Sequence, residues 1–148
     1  MAFDDLYEDD FYVWTQEQAA ALRAAAKAGG RSNAVEWERL AEEVEDLGKR
    51  ERREVTWAAT LIVECFYKAS WSERKAERAN WREQVVRHQC DLDGRITASF
   101  RPLLRAELET IHKRAARLAN ARFDADEPDA PRDEALRWTL EEILGTAA

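Results

Sequence analysis

The chain has 148 residues, of which 45% are hydrophobic and 36% are charged, and its formal net charge is −7. This length fits one domain, and the hydrophobic share excludes a chain that is disordered throughout. The longest stretch without a charge covers nine residues, 55–63, whereas a membrane-spanning helix needs about twenty. With an acidic N-terminus and only two cysteines, the chain is predicted to be cytoplasmic, with no membrane partner and no disulfide framework.

Charge is spread unevenly along the chain. Residues 1–46 hold 12 acidic and 4 basic residues, residues 47–122 hold 10 acidic and 17 basic residues, and the remainder holds 8 acidic and 2 basic residues. A basic middle can attract an anionic partner. The alternative, which we favour, is that the acidic ends fold back onto the basic middle.

Residues 1–14 are predicted to form a packed aromatic arm, because Phe11, Tyr12 and Trp14 follow one another closely. Thr15 and Gln18 form a capping box, which predicts that helix A begins at Thr15. The alanine-rich run that follows favours a helix. The pair of glycines at 29 and 30 predicts its end.

Helix B is predicted over residues 34–69, with Asn33 as its N-cap. At 100° per residue its apolar side chains form one core-facing stripe: Trp37, Leu40, Val44, Leu47, Val55, Ala58, Ile62, Cys65, Phe66 and Ala69. Gly48 lies at the edge of this stripe and costs helix propensity, so it indicates a close helix crossing or a kink.

Helix C carries an apolar stripe of Trp81, Val85, His88, Leu92 and Ile96. Either Ser70 or Asn80 is a possible N-cap, so its start stays open. Helix D is predicted from Phe100 to Arg122, with Pro102 in its first turn. We expect His88 to lie in the core and His112, which falls between stripe residues, to be exposed.

Residues 123–137 are predicted as an acidic, proline-bearing loop, and residues 138–148 as a short helix and tail. Thr139 and Glu142 form a second capping box, and Leu140, Ile143 and Leu144 are its apolar residues. No strand pattern is found. The predicted fold is therefore all-α, a single-domain helical bundle (1–148) around one long central helix.

Six segments in order resemble the bacterial family called domain of unknown function 29. They are Leu6–Thr15, Glu36–Gly48, Glu51–Glu54, Trp81–Gln84, Ser99–Leu104 and Trp138–Leu144. The chain departs from the family after Val63, where many members carry a histidine and a Gln-Pro pair. The resemblance implies an all-helical fold and brings no activity, cofactor or catalytic residue.

The densest group of carboxylates lies on helix B and comprises Glu42, Glu43, Glu45 and Asp46. Glu42, Glu45 and Asp46 are helical neighbours, and oxygen ligands of this kind suit Mg²⁺ or Mn²⁺. They are weak metal candidates, because they lie off the apolar stripe. A solvated acidic face is the reading we favour.

A basic run follows directly, with Lys49, Arg50, Arg52 and Arg53 as possible contacts for an anion such as a phosphate group. No nucleic-acid reading motif accompanies it. Pairing along the helix, for instance Glu45 with Lys49, is the alternative that we favour.

Glu51 falls near the middle of the apolar stripe, where an unpaired buried charge would be very costly. We predict a structural ion pair with an arginine, for which Arg82, Arg101 and Arg105 are candidates. Pairing along its own helix or reaching solvent is the alternative.

No catalytic signature, cofactor motif or metal-ligand spacing is found, so the chain is not expected to be an enzyme. The sequence favours a non-enzymatic interaction or regulatory module that binds an unknown protein partner. A homodimer is also predicted, because helix B carries more apolar stripe than its partners can cover. A nucleic-acid-associated protein using the basic middle, or a metal-binding protein, are the alternatives.

Overall fold

The computed structural model describes residues 3–29 and 32–146, and within these ranges it contains six helices and no strand. The helices, in chain order, are α1 (Phe3–Asp9), α2 (Phe11–Lys27), α3 (Trp37–Trp71), α4 (Lys75–Leu92), α5 (Phe100–Asp126) and α6 (Leu140–Leu144). The predicted all-α fold, with one helix far longer than most others, is confirmed. None of the described helices is both long and apolar enough to cross a membrane.

The chain divides into two compact units. The first contains the described residues through Glu54 together with Thr97–Phe100, and the second contains Val55–Ile96 and the described residues from Arg101 onward. Helix α3 therefore contributes residues 37–54 to the first unit and residues 55–71 to the second. That the whole chain folds as a single domain stays a prediction.

The aromatic arm is helical, which corrects the predicted start of helix A. Asp10 is the N-cap of α2, and its carboxylate accepts a hydrogen bond from the Val13 amide at 3.3 Å. Thr15 is therefore not a cap: it lies inside α2, fully buried, and its hydroxyl donates to the Tyr12 carbonyl at 2.6 Å. Because α2 already begins at Phe11, the amides that follow Thr15 are bonded within the helix and need no cap.

Asp10 also holds the segment that precedes α5. Its carboxylate accepts hydrogen bonds from the Ser99 amide at 3.1 Å, the Ser99 hydroxyl at 2.8 Å and the Thr97 hydroxyl at 3.2 Å. One carboxylate thus caps α2 and binds residues 87 and 89 positions away along the chain.

Helix α3 begins three residues later than the sequence predicts. Residues 32–35 form a turn instead, in which the Ser32 hydroxyl accepts a hydrogen bond from the Ala34 amide at 3.2 Å. The Trp37 indole donates to the Ser32 carbonyl at 3.2 Å. Asn33 is therefore not the N-cap.

Helix α4 begins at Lys75, so neither Ser70 nor Asn80 caps it. Ser72 sets the turn, because its hydroxyl accepts from the Arg74 amide and donates to Glu77. The helix ends at Leu92, which leaves Ile96 beyond it.

The C-terminal elements agree well with the sequence. Helix α5 begins at Phe100 as predicted but runs four residues further, and α6 is capped by Thr139, whose hydroxyl accepts from the Glu142 amide at 3.1 Å. Leu140 and Ile143 are buried. The acidic loop is held by Arg132, which lies 2.5 Å from the Asp124 carboxylate and donates to the Glu127 and Pro128 carbonyls.

Candidate functional site

The first half of α3 exposes apolar side chains on one side. Leu40 and Leu47 are 44% and 43% exposed, and seven residues apart they lie on the same side of the helix. Val44, between them, is half-buried, while Glu43 and Arg50 are exposed along one edge. We call these five residues the α3 surface.

An adjacent side of this half is covered by α2. Ala41 is fully buried, and Gly48 lies so close to α2 that a Cβ atom there would come within 2.1 Å of the Thr15 hydroxyl oxygen. The close crossing predicted at Gly48 is confirmed. Because no side chain separates the two backbones here, the α3 surface is presented on a closely packed helix pair.

An ion pair also joins α2 to the first half of α3. The Arg23 guanidinium donates to the Glu45 carboxylate at 2.7 Å, and Lys49 lies 4.0 Å from the same group. The hydrogen bond and charge of Arg23 lower the pKa of Glu45. The predicted Glu45–Lys49 pairing along the helix is confirmed.

The three weak metal candidates do not share one environment. Glu45 is held by Arg23, whereas Glu42 and Asp46 are exposed. Within residues 3–29 and 32–146, no group of three or more acidic, histidine or cysteine side chains could hold a metal ion.

The basic run lies on the surface of the first unit. Lys49, Arg50 and Arg53 are exposed, and Arg52 is half-buried. Glu51, in the middle of this run, is half-buried too, so its side chain is neither in the core nor fully in water. The pairing of Glu51 with an arginine stays a prediction. Of the candidate partners, Arg105 already pairs with Glu141.

The aromatic arm packs mainly on itself. The rings of Phe11 and Trp14 stack with centroids 5.8 Å apart, and Tyr7 meets both rings edge-on at 5.4 Å and 4.9 Å. Tyr12 instead packs against Phe100, with ring centroids 5.3 Å apart. All three predicted arm residues are half-buried, which suits a packing role.

A buried histidine was placed wrongly by the sequence pattern. His112, predicted to be exposed, is 1% exposed. Its Nδ1 lies 2.8 Å from the Leu108 carbonyl, and its Nε2 lies 3.0 Å from the Trp138 amide. Since the amide must donate, Nε2 accepts and Nδ1 carries the proton. Burial lowers the pKa of His112, with a further contribution from Arg137.

His88 shows the reverse error. Expected in the core, it is half-buried and lines a surface groove of α4 with Val86 and Cys90. The two cysteines also differ: Cys90 is exposed, while burial raises the pKa of the Cys65 thiol to about 11.

The segment that follows α5 is anchored on the second half of α3. The Tyr67 hydroxyl lies 2.8 Å from the Leu136 carbonyl and 3.2 Å from the Glu134 carbonyl. The Tyr67 ring meets Trp138 edge-on at 4.8 Å, and burial raises the pKa of its hydroxyl. These contacts form a structural centre, in which His112 and Tyr67 both bind backbone groups.

The comparisons with known proteins agree with this fold. The chain is similar to an alpha-helical protein of unknown function from Rhodospirillum rubrum, whose crystal structure matches with a TM-score of 0.80 at 30% identity, over 93% of this chain and 88% of that one. No curated protein matches the chain. The model of the family described as "Domain of unknown function DUF29" matches residues 6–147, which confirms the resemblance found in the six sequence segments. The chain belongs to the DUF29 family.

Proposed function

We propose that this protein is a non-enzymatic interaction or regulatory module that binds a protein partner through the α3 surface. The observation that carries the proposal is the exposure of Leu40 and Leu47 on one side of a helix whose adjacent side is packed against α2. Apolar side chains that share an exposed face and are bordered by charge are typical of a protein-binding site.

The charged border supports the same proposal. Glu43 and Arg50 lie at the edge of the apolar residues, and a polar rim around an apolar centre is the usual arrangement of an interface. The homodimer predicted from the sequence would use this surface as well.

The two alternatives have weaker support. For nucleic-acid binding, the basic run is interrupted by Glu51, and Lys49 already lies beside Glu45. For metal binding, the described residues bring no three suitable ligands together.

Partner capture tests the proposal. The wild-type chain, the double variant Leu40→Glu/Leu47→Glu and a control variant Trp57→Glu would be used to purify partners from the source cells, with quantification by mass spectrometry. Trp57 is a good control because it is exposed, at 51%, on the same helix but outside the α3 surface. We expect the double variant to lose partners, including tagged copies of the chain itself, that the control retains. Equal recovery with both variants would contradict the proposal.

A further inference from the structure

In the first half of α3, a group of acidic residues is followed along the helix by a group of basic residues. Glu42, Glu43, Glu45 and Asp46 precede Leu47 and Gly48, and Lys49, Arg50, Arg52 and Arg53 follow them. Of these eight residues, Glu43 and Arg50 border the α3 surface, and they lie at equal distances on either side of the midpoint between Asp46 and Leu47. All eight lie on one continuous helix.

This order of charges allows two identical helices that run in opposite directions to bring opposite charges together. In an antiparallel pair of identical helices related by a two-fold axis at that midpoint, Glu43 of each copy lies opposite Arg50 of the other. A two-fold axis also makes every contact occur twice. In a parallel pair, acids would face acids and bases would face bases, which is unfavourable.

The α3 surface supplies the face on which such a pair would form. Leu47 lies next to the proposed axis and is 43% exposed, so the two copies of its side chain would meet near the centre. Glu43 and Arg50 border the same face, and each would lie opposite the other residue of the partner copy.

We propose that the partner bound by the α3 surface is a second copy of this chain, with its α3 antiparallel and the two-fold axis between Asp46 and Leu47. This inference rests on the proposed function and names the partner. Glu43 and Arg50 would fix how the two helices align along their length. A shift of one helix by one turn would move Arg50 away from Glu43 of the other copy and bring residues of like charge closer together.

Charge exchange tests the register directly. Sedimentation equilibrium between about 1 μM and about 1 mM would compare the wild type with Glu43→Arg, with Arg50→Glu and with the double variant. Each single variant places like charges opposite one another twice, so its dimer should dissociate at least about tenfold more readily. The double variant restores opposite charges and should recover wild-type affinity to within about threefold.

A mixture of the two single variants provides a second test. One chain then carries two arginines and the other two glutamates at these positions, so a heterodimer should form where neither variant dimerises well alone. Glu42→Arg is the matched control, because Glu42 is exposed on the same helix but points about 140° away from Leu47. Circular dichroism would confirm that every variant is folded.

Several results would overturn the inference. They are a wild type that stays monomeric over the whole range, single variants that dimerise as tightly as the wild type, or a double variant and a mixture that do not recover. A monomeric wild type whose cellular partners are still lost in Leu40→Glu/Leu47→Glu would remove the self-pairing and leave the proposed function standing.

Discussion

The two halves of α3 share one backbone helix but lie in different surroundings. Twelve of the 18 residues in Trp37–Glu54 are charged, whereas only Glu64 and Lys68 are charged in Val55–Trp71. In the first half, burial is confined to the side that faces α2, with Ala41 and Gly48 buried. In the second half, Ile62, Val63 and Tyr67 are all fully buried, although their side chains are spread over about 140° around the helix.

The difference shows that the number of charged residues determines how much of a helix can be buried. The only two charges of the second half neutralise each other: Lys68 lies 2.7 Å from the Glu64 carboxylate and 4.6 Å from the centre of the Trp81 ring. Pairing of this kind reduces the high cost of removing charges from water. The first half has too many charges to be buried on all sides, and it therefore keeps a free face.

The largest effect is expected in the second half. Ile62→Ala removes a fully buried side chain and should lower the free energy of unfolding by about 2–5 kcal/mol, through lost burial and the cavity that remains. Urea unfolding followed by circular dichroism would measure it. A loss below about 1 kcal/mol would mean that Ile62 is not buried as described.

A smaller loss is expected where α2 crosses α3. Gly48→Ala would place a methyl group 2.1 Å from the Thr15 hydroxyl oxygen, and overpacking of this kind costs about 1–3 kcal/mol. The gain in helix propensity, about 1 kcal/mol, acts in the opposite direction.

Thr15→Ala provides the control, because it removes the atom that clashes. The double variant should then be more stable than the two single losses predict, and a double-mutant cycle measures that difference. If the two losses simply add, the crossing is not as close as described.

His112 predicts a loss of stability in acid. Burial lowers its pKa in the folded state below the value of about 6.5 for an exposed histidine. The unfolded chain therefore takes up the proton first, so stability is complete above about pH 6.5 and falls as the pH drops from there toward the folded pKa. The slope for one proton is at most about 1.4 kcal/mol per pH unit.

The measurement is the free energy of unfolding between about pH 7.5 and about pH 5 for the wild type and His112→Gln. The variant lacks a titrating group at this position, so its curve should be flatter. Parallel curves would show that His112 does not contribute the loss.

The smallest effect on the isolated chain is expected on the α3 surface. Leu47 is already 43% exposed, so Leu47→Ala should change the unfolding free energy of the monomer by less than about 0.5 kcal/mol. Chemical unfolding at the lowest practical protein concentration would separate this from any effect on self-association. A loss comparable to that of Ile62→Ala would show that the face is buried.

Much of the helical architecture could be predicted from the sequence, because apolar periodicity and caps are local signals. The Thr139–Glu142 box and the start of α5 at Phe100 illustrate this. Helix starts failed where several caps competed: Asp10 caps α2 in place of Thr15, and no capping box marks the start of α4.

The two histidines failed for a different reason. Position on a helix face indicates burial only when it is known which element covers that face, and the residues around Trp138 that cover His112 have no periodic pattern of their own. Likewise, the continuous apolar stripe of α3 does not reveal that Leu40 and Leu47 stay exposed while Ile62 is buried. The hydrogen bond from the Trp138 amide to His112 joins residues that are distant in the sequence, and no sequence signal could have revealed it.

The proposed pairing of two α3 helices is tested most directly by disulfide cross-linking near the two-fold axis. Leu47→Cys in a Cys90→Ala background, in which only buried Cys65 remains of the natural cysteines, should form a covalent dimer rapidly under mild oxidation. Glu42→Cys in the same background replaces another exposed residue, but one that points about 140° away from Leu47, so it should cross-link much more slowly. Equal rates for the two variants, or no covalent dimer with Leu47→Cys, would contradict the claim that the free face of α3 binds a second copy.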